Sequence, residues 1–320
     1  MTKLSIIIPH YKDEENLERL IDTIPENPNF QIIIVDNTPD YNISALEKLK
    51  KKNRFVEIYQ IETGGAGAAR NLGLEKVVHE WVLFADSDDI FLEGFYEKIL
   101  SVLDGAYDVV YFAPQYEGIA RNCYGALDHR TRYAELVETF NNEQSEVNEW
   151  TLRLRFDVPW SKLIKYDFLQ KNNIYFDCVK KQNDTIFSQK VGLLAQKVQI
   201  SPLNIYCTID NPHSITHQLS KDYYEDAVEV RVRSCLMQRE RVSKAFLKEC
   251  NPKIFLLPLA TIRESYRFYR SLGYSLQILN RFKQNKVPIF SLAIFEICIN
   301  LAAKNMVQTY HQNFKRRLQN

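Results

Sequence analysis

Four short apolar runs alternate with stretches of helical periodicity in the first 85 residues, and that alternation leaves few folds open. Residues 4–8 are apolar but for Ser5 and close on Pro9, as a parallel strand buried on both faces does. Leu17, Leu20, Ile21 and Ile24 then recur at helical spacing behind Asp13, a candidate N-cap. Residues 31–35 read as the second strand, 44–52 as a charged helix, and 55–61 as the third strand. A helix over 65–77 and a fourth strand over 81–85 complete the pattern, which predicts a doubly wound α/β domain. From 107 to 209 it loosens into shorter strands, aromatic-rich loops and a helix over 184–194. Beyond Asp222 the pattern is helical, punctuated by Pro252, Pro258 and Pro288. The expected division is into domains 1–220 and 221–320.

Bulk composition removes several classes. Hydrophobic content of 45% and charged content of 25% are those of a globular protein. A net charge of +1 sets up no global field for nucleic acid. The six cysteines, Cys123, Cys178, Cys207, Cys235, Cys250 and Cys298, include no C-x-x-C and suggest reduced thiols rather than zinc or a disulfide framework. The chain enters a strand pattern at once, so no signal peptide is expected.

Chemistry should sit beyond the carboxyl ends of the strands, where open α/β sheets bind ligands. Three ends stand out: Pro9-His10-Tyr11, Val35-Asp36-Asn37, and Asp86-Ser87-Asp88-Asp89. Three carboxylates in four residues repel one another unless a cation or donors hold them, and oxygen ligands suit Mg²⁺ or Mn²⁺. The plainer alternative is a solvated turn with Asp88 or Asp89 capping the next helix; placement after a buried strand favours the ligand. The stretch "IETGGAGAARNLGLEKV" (61–77) nearly spells a dinucleotide fingerprint, but Arg70 stands where the third glycine belongs, and it follows the third strand, with two earlier ones ahead of that, instead of the first. Hydride transfer is therefore disfavoured.

Taken together, "SIIIPHYKDEENLERLIDTI", "IIIVDNTPD", "TGGAGAARNLGLEKV", "WVLFADSDDIF" and "PWSKLIKYDFLQKNNIYF" resemble the inverting family 2 glycosyltransferases of the GT-A fold, bacterial surface-polysaccharide type, over residues 1–215. The resemblance implies a mixed central sheet with helices on both faces, followed by a C-terminal helical region. It implies that Tyr11 stacks the nucleobase, with backbone contacts from Pro9 and His10, and that Asp36 and Asn37 read the base. Asn37 stands where the family more often has Asp; its amide can still pair with a pyrimidine edge. Gly65 and its small neighbours let a helix start pack beneath the nucleotide, Arg70 contacts the nucleotide, and Asn71 supports the loop. Asp86 faces the ribose, Asp88 binds Mn²⁺ or Mg²⁺ on the diphosphate, and Asp89 is a helix cap or supporting residue. The family's base is the Asp of a Glu-Asp pair beyond Trp-x-Lys-Leu; here Trp160-Ser161-Lys162-Leu163 precedes Asn183-Asp184, which makes Asp184 the base, with Asp177 its competitor. Trp160 lines the acceptor pocket or fills the core, and His213 touches metal or phosphate or is an ordinary loop histidine. The implied reaction moves a sugar from a nucleotide-sugar, a UDP-sugar first and a dTDP- or GDP-sugar as alternative, to a glycan acceptor that a lipid could carry. A non-catalytic nucleotide-sugar-binding protein is the other class.

The tail carries its own signal. Residues 281–320 hold seven Lys or Arg against the single acid Glu296. Glu296, Asn300 and Lys304 form one polar stripe in an apolar run over 287–303, too short and interrupted to span a bilayer. Such a helix is buried between other helices or against another subunit in a homodimer, or lies on an anionic membrane surface through Arg281, Lys283, Lys286, Lys315, Arg316 and Arg317. The location expected is the cytoplasm, on the inner face of the cell membrane in the second case.

Overall fold

The computed structural model describes residues 2–39, 43–103, 105–117, 131–211, 221–269 and 272–285. The chain divides into two units, Met1–Ala227 and Val228–Asn320, and the division falls within one long helix. His213, Lys286, the apolar run 287–303 and the basic residues beyond it lie outside the described residues.

The first unit is built on a seven-stranded mixed sheet. Strands β1 (Leu4–His10), β2 (Phe30–Asp36), β3 (Val56–Gln60) and β4 (Trp81–Phe84) alternate with helices α1 (Glu14–Asp22), α2 (Ile43–Lys52) and α3 (Gly65–Glu75), as the periodicity predicts. Every residue of β1 and β2 is buried, the signature of strands covered on both faces, and each buried Ile or Leu contributes about 1.5–3 kcal/mol. α1 turns Leu17, Leu20 and Ile21 to the core. Asp13 stands at its N-cap position, but its carboxylate takes no backbone N–H of the helix and is instead held by Asn16 Nδ2 at 2.8 and 2.9 Å.

The chain then adds β5 (Ile90–Phe91), α4 (Phe95–Val102), β6 (Val109–Phe112), β7 (Gln115–Glu117), α5 (Thr131–Asn142) and α6 (Glu146–Arg155). β8 (Lys162–Lys165), α7 (Tyr166–Lys171), α8 (Thr185–Leu194), β9 (Val198–Ser201) and β10 (Tyr206–Ile209) complete the unit. The order is β3-β2-β1-β4-β8-β6-β9, and β8 runs antiparallel to both neighbours. That reversal matters for function. Because Val82 pairs with Ile164, the start of β8 lies at the carboxyl end of β4, so the segment before β8 opens onto the same edge as Asp86–Asp89. A second sheet, β5-β10-β7, was not legible in the sequence.

The helix spanning the division is α9 (Lys221–Arg241), followed in the second unit by α10 (Lys244–Cys250), a 3-10 turn (Pro252–Phe255), α11 (Leu257–Tyr269) and α12 (Leu272–Gln284). Inside it Asn251 donates to Gln238 Oε1 at 2.9 Å, and Arg231 pairs with Glu264. Among the described residues no helix is long and apolar enough to cross a membrane.

Candidate active site

The ends of β1 and β2 meet through a buried pair. His10 Nδ1 lies 2.7 Å from Asp36 Oδ1, and both side chains are 1% exposed. His10 Nε2 accepts the Asp13 N–H at 3.1 Å, so the network assigns the ring proton to Nδ1, which donates to Asp36. The Thr38 hydroxyl donates to the same oxygen at 2.7 Å and accepts the Lys12 N–H at 2.9 Å. Asp36 Oδ2, in contrast, is buried without a partner among the described residues. Beside it Tyr11 is 52% exposed, leaving its ring open except where Lys12 Nζ stands 5.3 Å from the centroid. Pro9 is buried in β1, opposite Val35, and the His10 carbonyl accepts the Asn37 N–H at 2.9 Å.

Asn37 is engaged at both ends of its amide. Oδ1 accepts the Gly65 N–H at 2.9 Å and Nδ2 donates to the Ile61 carbonyl at 3.2 Å, tying the loop before α3 to β2. Gly65 (φ +66°) and Gly64 (φ +114°) occupy the left-handed region that other side chains rarely adopt. Gly67 answers to a different constraint. A Cβ there would lie 2.1 Å from the Asp177 carbonyl, so α3 packs against the loop 177–184 rather than, as expected, beneath a nucleotide alone.

That loop carries the second half of the site. Asn71 pins its start with two bonds to the Phe176 backbone, at 2.8 and 3.0 Å. The Lys180 N–H donates to Asp226 Oδ2 at 2.7 Å, and Asp177 N–H to the Asn183 carbonyl at 3.2 Å. Gln182 is held at φ 58°, a costly conformation for a side chain of its kind. Arg70, buried at the centre, spans the halves: one terminal nitrogen donates to Asp86 Oδ1 at 2.6 Å, the other to Asn183 Oδ1 at 2.9 Å.

Asp184 follows at the N-cap position of α8, yet its side chain makes no capping bond. Burial pushes its carboxyl up to about 6; Arg70 opposes the shift, while Asp157 and Asp86 reinforce it. A helix cap therefore does not explain Asp184. Nor do Asp88 and Asp89 cap α4, which starts behind Gly94. Asp89 is a buried tie to β10: Tyr206 Oη donates to Oδ2 at 2.7 Å and the Ile209 N–H to Oδ1 at 2.9 Å. Tyr206 Oη also accepts the Asp86 N–H at 2.8 Å. Asp88 receives Asn211 Nδ2 at 2.9 Å on Oδ2, while its backbone carbonyl receives Arg19 at 2.7 Å. Burial, then the neighbouring Asp86, holds the Asp88 carboxyl above the ordinary carboxylate range.

Trp160 takes a core position. It is 5% exposed, stacked on Tyr206 at 5.8 Å and edge-on to Tyr133 at 5.1 Å. The surprise in its motif is Lys162, fully buried, whose ammonium donates to the Phe156 carbonyl at 2.6 Å. Burial draws that amine down to about 7, against the pull of Asp157 and Asp184.

The sequence pattern of glycosyl transferase family 2 matches residues 5–172, more than half of the chain. The chain belongs to glycosyl transferase family 2. It is 23% identical over 290 residues to the poly(ribitol-phosphate) beta-N-acetylglucosaminyltransferase TarS of Staphylococcus aureus strain MW2, covering 87% of this chain and 47% of that protein. It thus spans about half the length of the curated relatives it matches. The crystal structure of S. aureus TarS 1-349 in complex with UDP-GlcNAc superposes with a TM-score of 0.69 at 21% identity, over 90% of this chain and 82% of that one. The mannosyltransferase PcManGT from Pyrobaculum calidifontis, in complex with GDP-Man and Mn2+, gives 0.52 at 13%, over 94% and 80%. At these identities the likeness is one of fold, and the fold is the GT-A-like one the strand order describes.

Within the family 2 frame, the sequence named the strand-end residues and missed those that hold them. Thr38, Tyr206, Asn211, Asp157 and Lys162 reach the site from separate elements. The two tyrosines in polar pairs carry no local sequence signal, and Lys162 stands in the Trp-x-Lys-Leu element without anything there announcing its burial.

Proposed function

We propose that this protein transfers a sugar from a nucleotide-sugar, a UDP-sugar first among the candidates, to a glycan acceptor of a bacterial surface polymer. Asp184 is the general base, and attack is direct, with inversion at the anomeric carbon. One observation carries the reading. Arg70 joins Asp86, at the end of β4, to Asn183 in the loop of Asp184, so a nucleotide held at the strand ends lies beside a carboxylate that no capping bond engages. A base poised at about 6 is ionised at neutral pH and still able to take the acceptor hydroxyl proton.

The unpartnered Asp36 Oδ2 supplies an acceptor for a base N–H, and the open Tyr11 ring a stacking face. Asn37, with both amide ends engaged, serves the loop. Among the described residues no three His, Cys, Asp or Glu side chains form a ready metal cage. A single carboxylate is nonetheless what a cation shared with a diphosphate requires, and the charge crowding of Asp88 against Asp86 fits one. Asp88 would hold Mn²⁺ or Mg²⁺, which neutralises the leaving diphosphate when bound. The TarS and PcManGT complexes, with UDP-GlcNAc in one and GDP-Man and Mn2+ in the other, support the donor class.

Calorimetric titration of UDP, dTDP and GDP, each with and without Mn²⁺, against wild type and Asp88→Ala tests this. Micromolar binding of one nucleotide that needs both metal and Asp88 is expected. Metal-independent binding would take the metal role away from Asp88, and binding of no nucleotide would remove the donor site from the reading.

A further inference from the structure

Around the segment between α6 and β8 the charges do not pair off. Arg132, in the first turn of α5, donates to Asp157 Oδ1 at 2.5 Å and to Tyr133 Oη at 2.7 Å, and Tyr133 donates to the same Asp157 oxygen at 2.6 Å. One carboxylate oxygen thus serves two donors, while Arg132 Nε is buried without a partner among the described residues. Arg155, in the last turn of α6, is half-buried and makes no hydrogen bond or ion pair among the described residues. Its neighbour Arg153 differs: that guanidinium is used by the Gly192 and Ala195 carbonyls and Glu149. Burial and Arg132 both bear on Arg155 to disfavour its charge, with Asp157 and Glu135 opposing.

A guanidinium taken partly out of water with no acceptor among the described residues is an unfavourable arrangement that an oxyanion relieves, and its planar fork suits phosphate. The antiparallel β8 places this cluster at the carboxyl edge of the sheet, and Asp157 is near enough to Asp184 to raise its carboxyl. The pair therefore stands on the base side of the site.

We infer that Arg132, bonded to Asp157, and Arg155 form a subsite for a phosphate group carried by the acceptor. The inference rests on the glycosyl-transfer reading for the word acceptor, but the site itself can be tested without it. The phosphate could be a phosphodiester within a polyol-phosphate polymer or the diphosphate of a lipid-linked glycan.

The full chain, with and without UDP and Mn²⁺, is titrated with a glycerol-phosphate oligomer, a short-chain isoprenyl diphosphate, inorganic phosphate and neutral glycerol. Saturable binding of a phosphate ligand, not of glycerol, is expected, and the better of the first two identifies the source. Arg155→Gln should weaken it about tenfold or more, and Arg155→Lys less, since an ammonium cannot present the fork. Asp157→Asn, which removes the competing charge, should tighten it about two- to fivefold. UDP affinity should not change in the Arg155 variants. Equal binding of phosphate ligands by wild type and Arg155→Gln overturns the subsite; a parallel loss of UDP binding assigns the arginine to the donor instead and overturns it equally. Failure of wild type to bind any nucleotide would instead strike the transfer reading, while the phosphate titrations without UDP still decide the subsite.

Discussion

At the ends of β1, β2 and β4 the ionisable groups hold one another: Asp36 with His10 and Thr38, Asp86 with Arg70, Asp89 with Tyr206 and the Ile209 N–H. On the other side of the site, around α8 and the segment before β8, Arg132, Asp157 and Tyr133 do so but other groups do not. Asp184 makes no capping bond, Arg155 has no partner among the described residues, and Lys162 leans on one carbonyl. The first arrangement is what a preformed cradle needs, because fixed groups meet a ligand without reorganising. The second retains ionisable groups in states that burial disfavours, which is how acid–base chemistry is tuned near neutral pH.

The sharpest way to break this contrast is Asp184→Asn. Loss of a positioned base should lower transfer by roughly 10²–10⁴-fold with nucleotide affinity unchanged, read from initial rates and titration. The Asp184 carboxyl sits above its unfolded value, so its contribution to stability is present below about 4 and lost as pH rises through about 6. The variant should therefore be more stable than wild type at pH 8, by about 1–2 kcal/mol after allowing for solvent screening, with the gap closing in acid. Wild-type kcat should fall below about pH 6 as the carboxyl takes up its proton. Transfer within a factor of about ten of wild type would move the base elsewhere, Asp177 first.

The two sides also differed in how well they could be read beforehand. Asp36, Asp86 and Asp88 close or follow buried strands whose alternation with helices sets which end of the sheet they reach, and Arg70 lies in the helix after the third strand, so their placement was legible. The other side depends on pairings made far along the chain. β8 reverses between β4 and β6, and no local pattern announces direction in a four-residue strand. Without that reversal Asp157 and Lys162 have no evident relation to Asp184. Trp160 shows the same limit, since an aromatic in a functional motif looks alike whether it faces a sugar or Tyr206. Asn37 and Gly67 were noticed in the sequence, but their contacts are with other parts of the protein.

Gly67 joins the two sides and should report on their coupling. Gly67→Ala brings a Cβ to 2.1 Å from the Asp177 carbonyl, backbone that cannot simply rotate away. The loop 177–184 must shift, which should cost about 1–3 kcal/mol of stability and about tenfold or more in transfer through misplaced Asp184. Gly65→Ala is the control. Its Cβ would meet open space, so only the left-handed backbone is penalised, by about 1–2 kcal/mol, and kcat should hold. Equal losses of kcat in both variants would mean that the loop moves independently of α3.

The smallest effect tests whether the strand-end side is as internally committed as its hydrogen bonds suggest. Asn37→Asp restores the residue more common at this position in the family but puts a carboxylate oxygen where Nδ2 now donates to the Ile61 carbonyl. Two acceptors then face each other, while the bond from the Gly65 N–H survives on the other oxygen. The expected outcome is a loss of about 1 kcal/mol in denaturant unfolding with no gain in nucleotide affinity. A tighter nucleotide at unchanged stability would show that position 37 reads the base after all. Asp36 Oδ2 would then share that task, and the strand ends would hold a second reading group beside it.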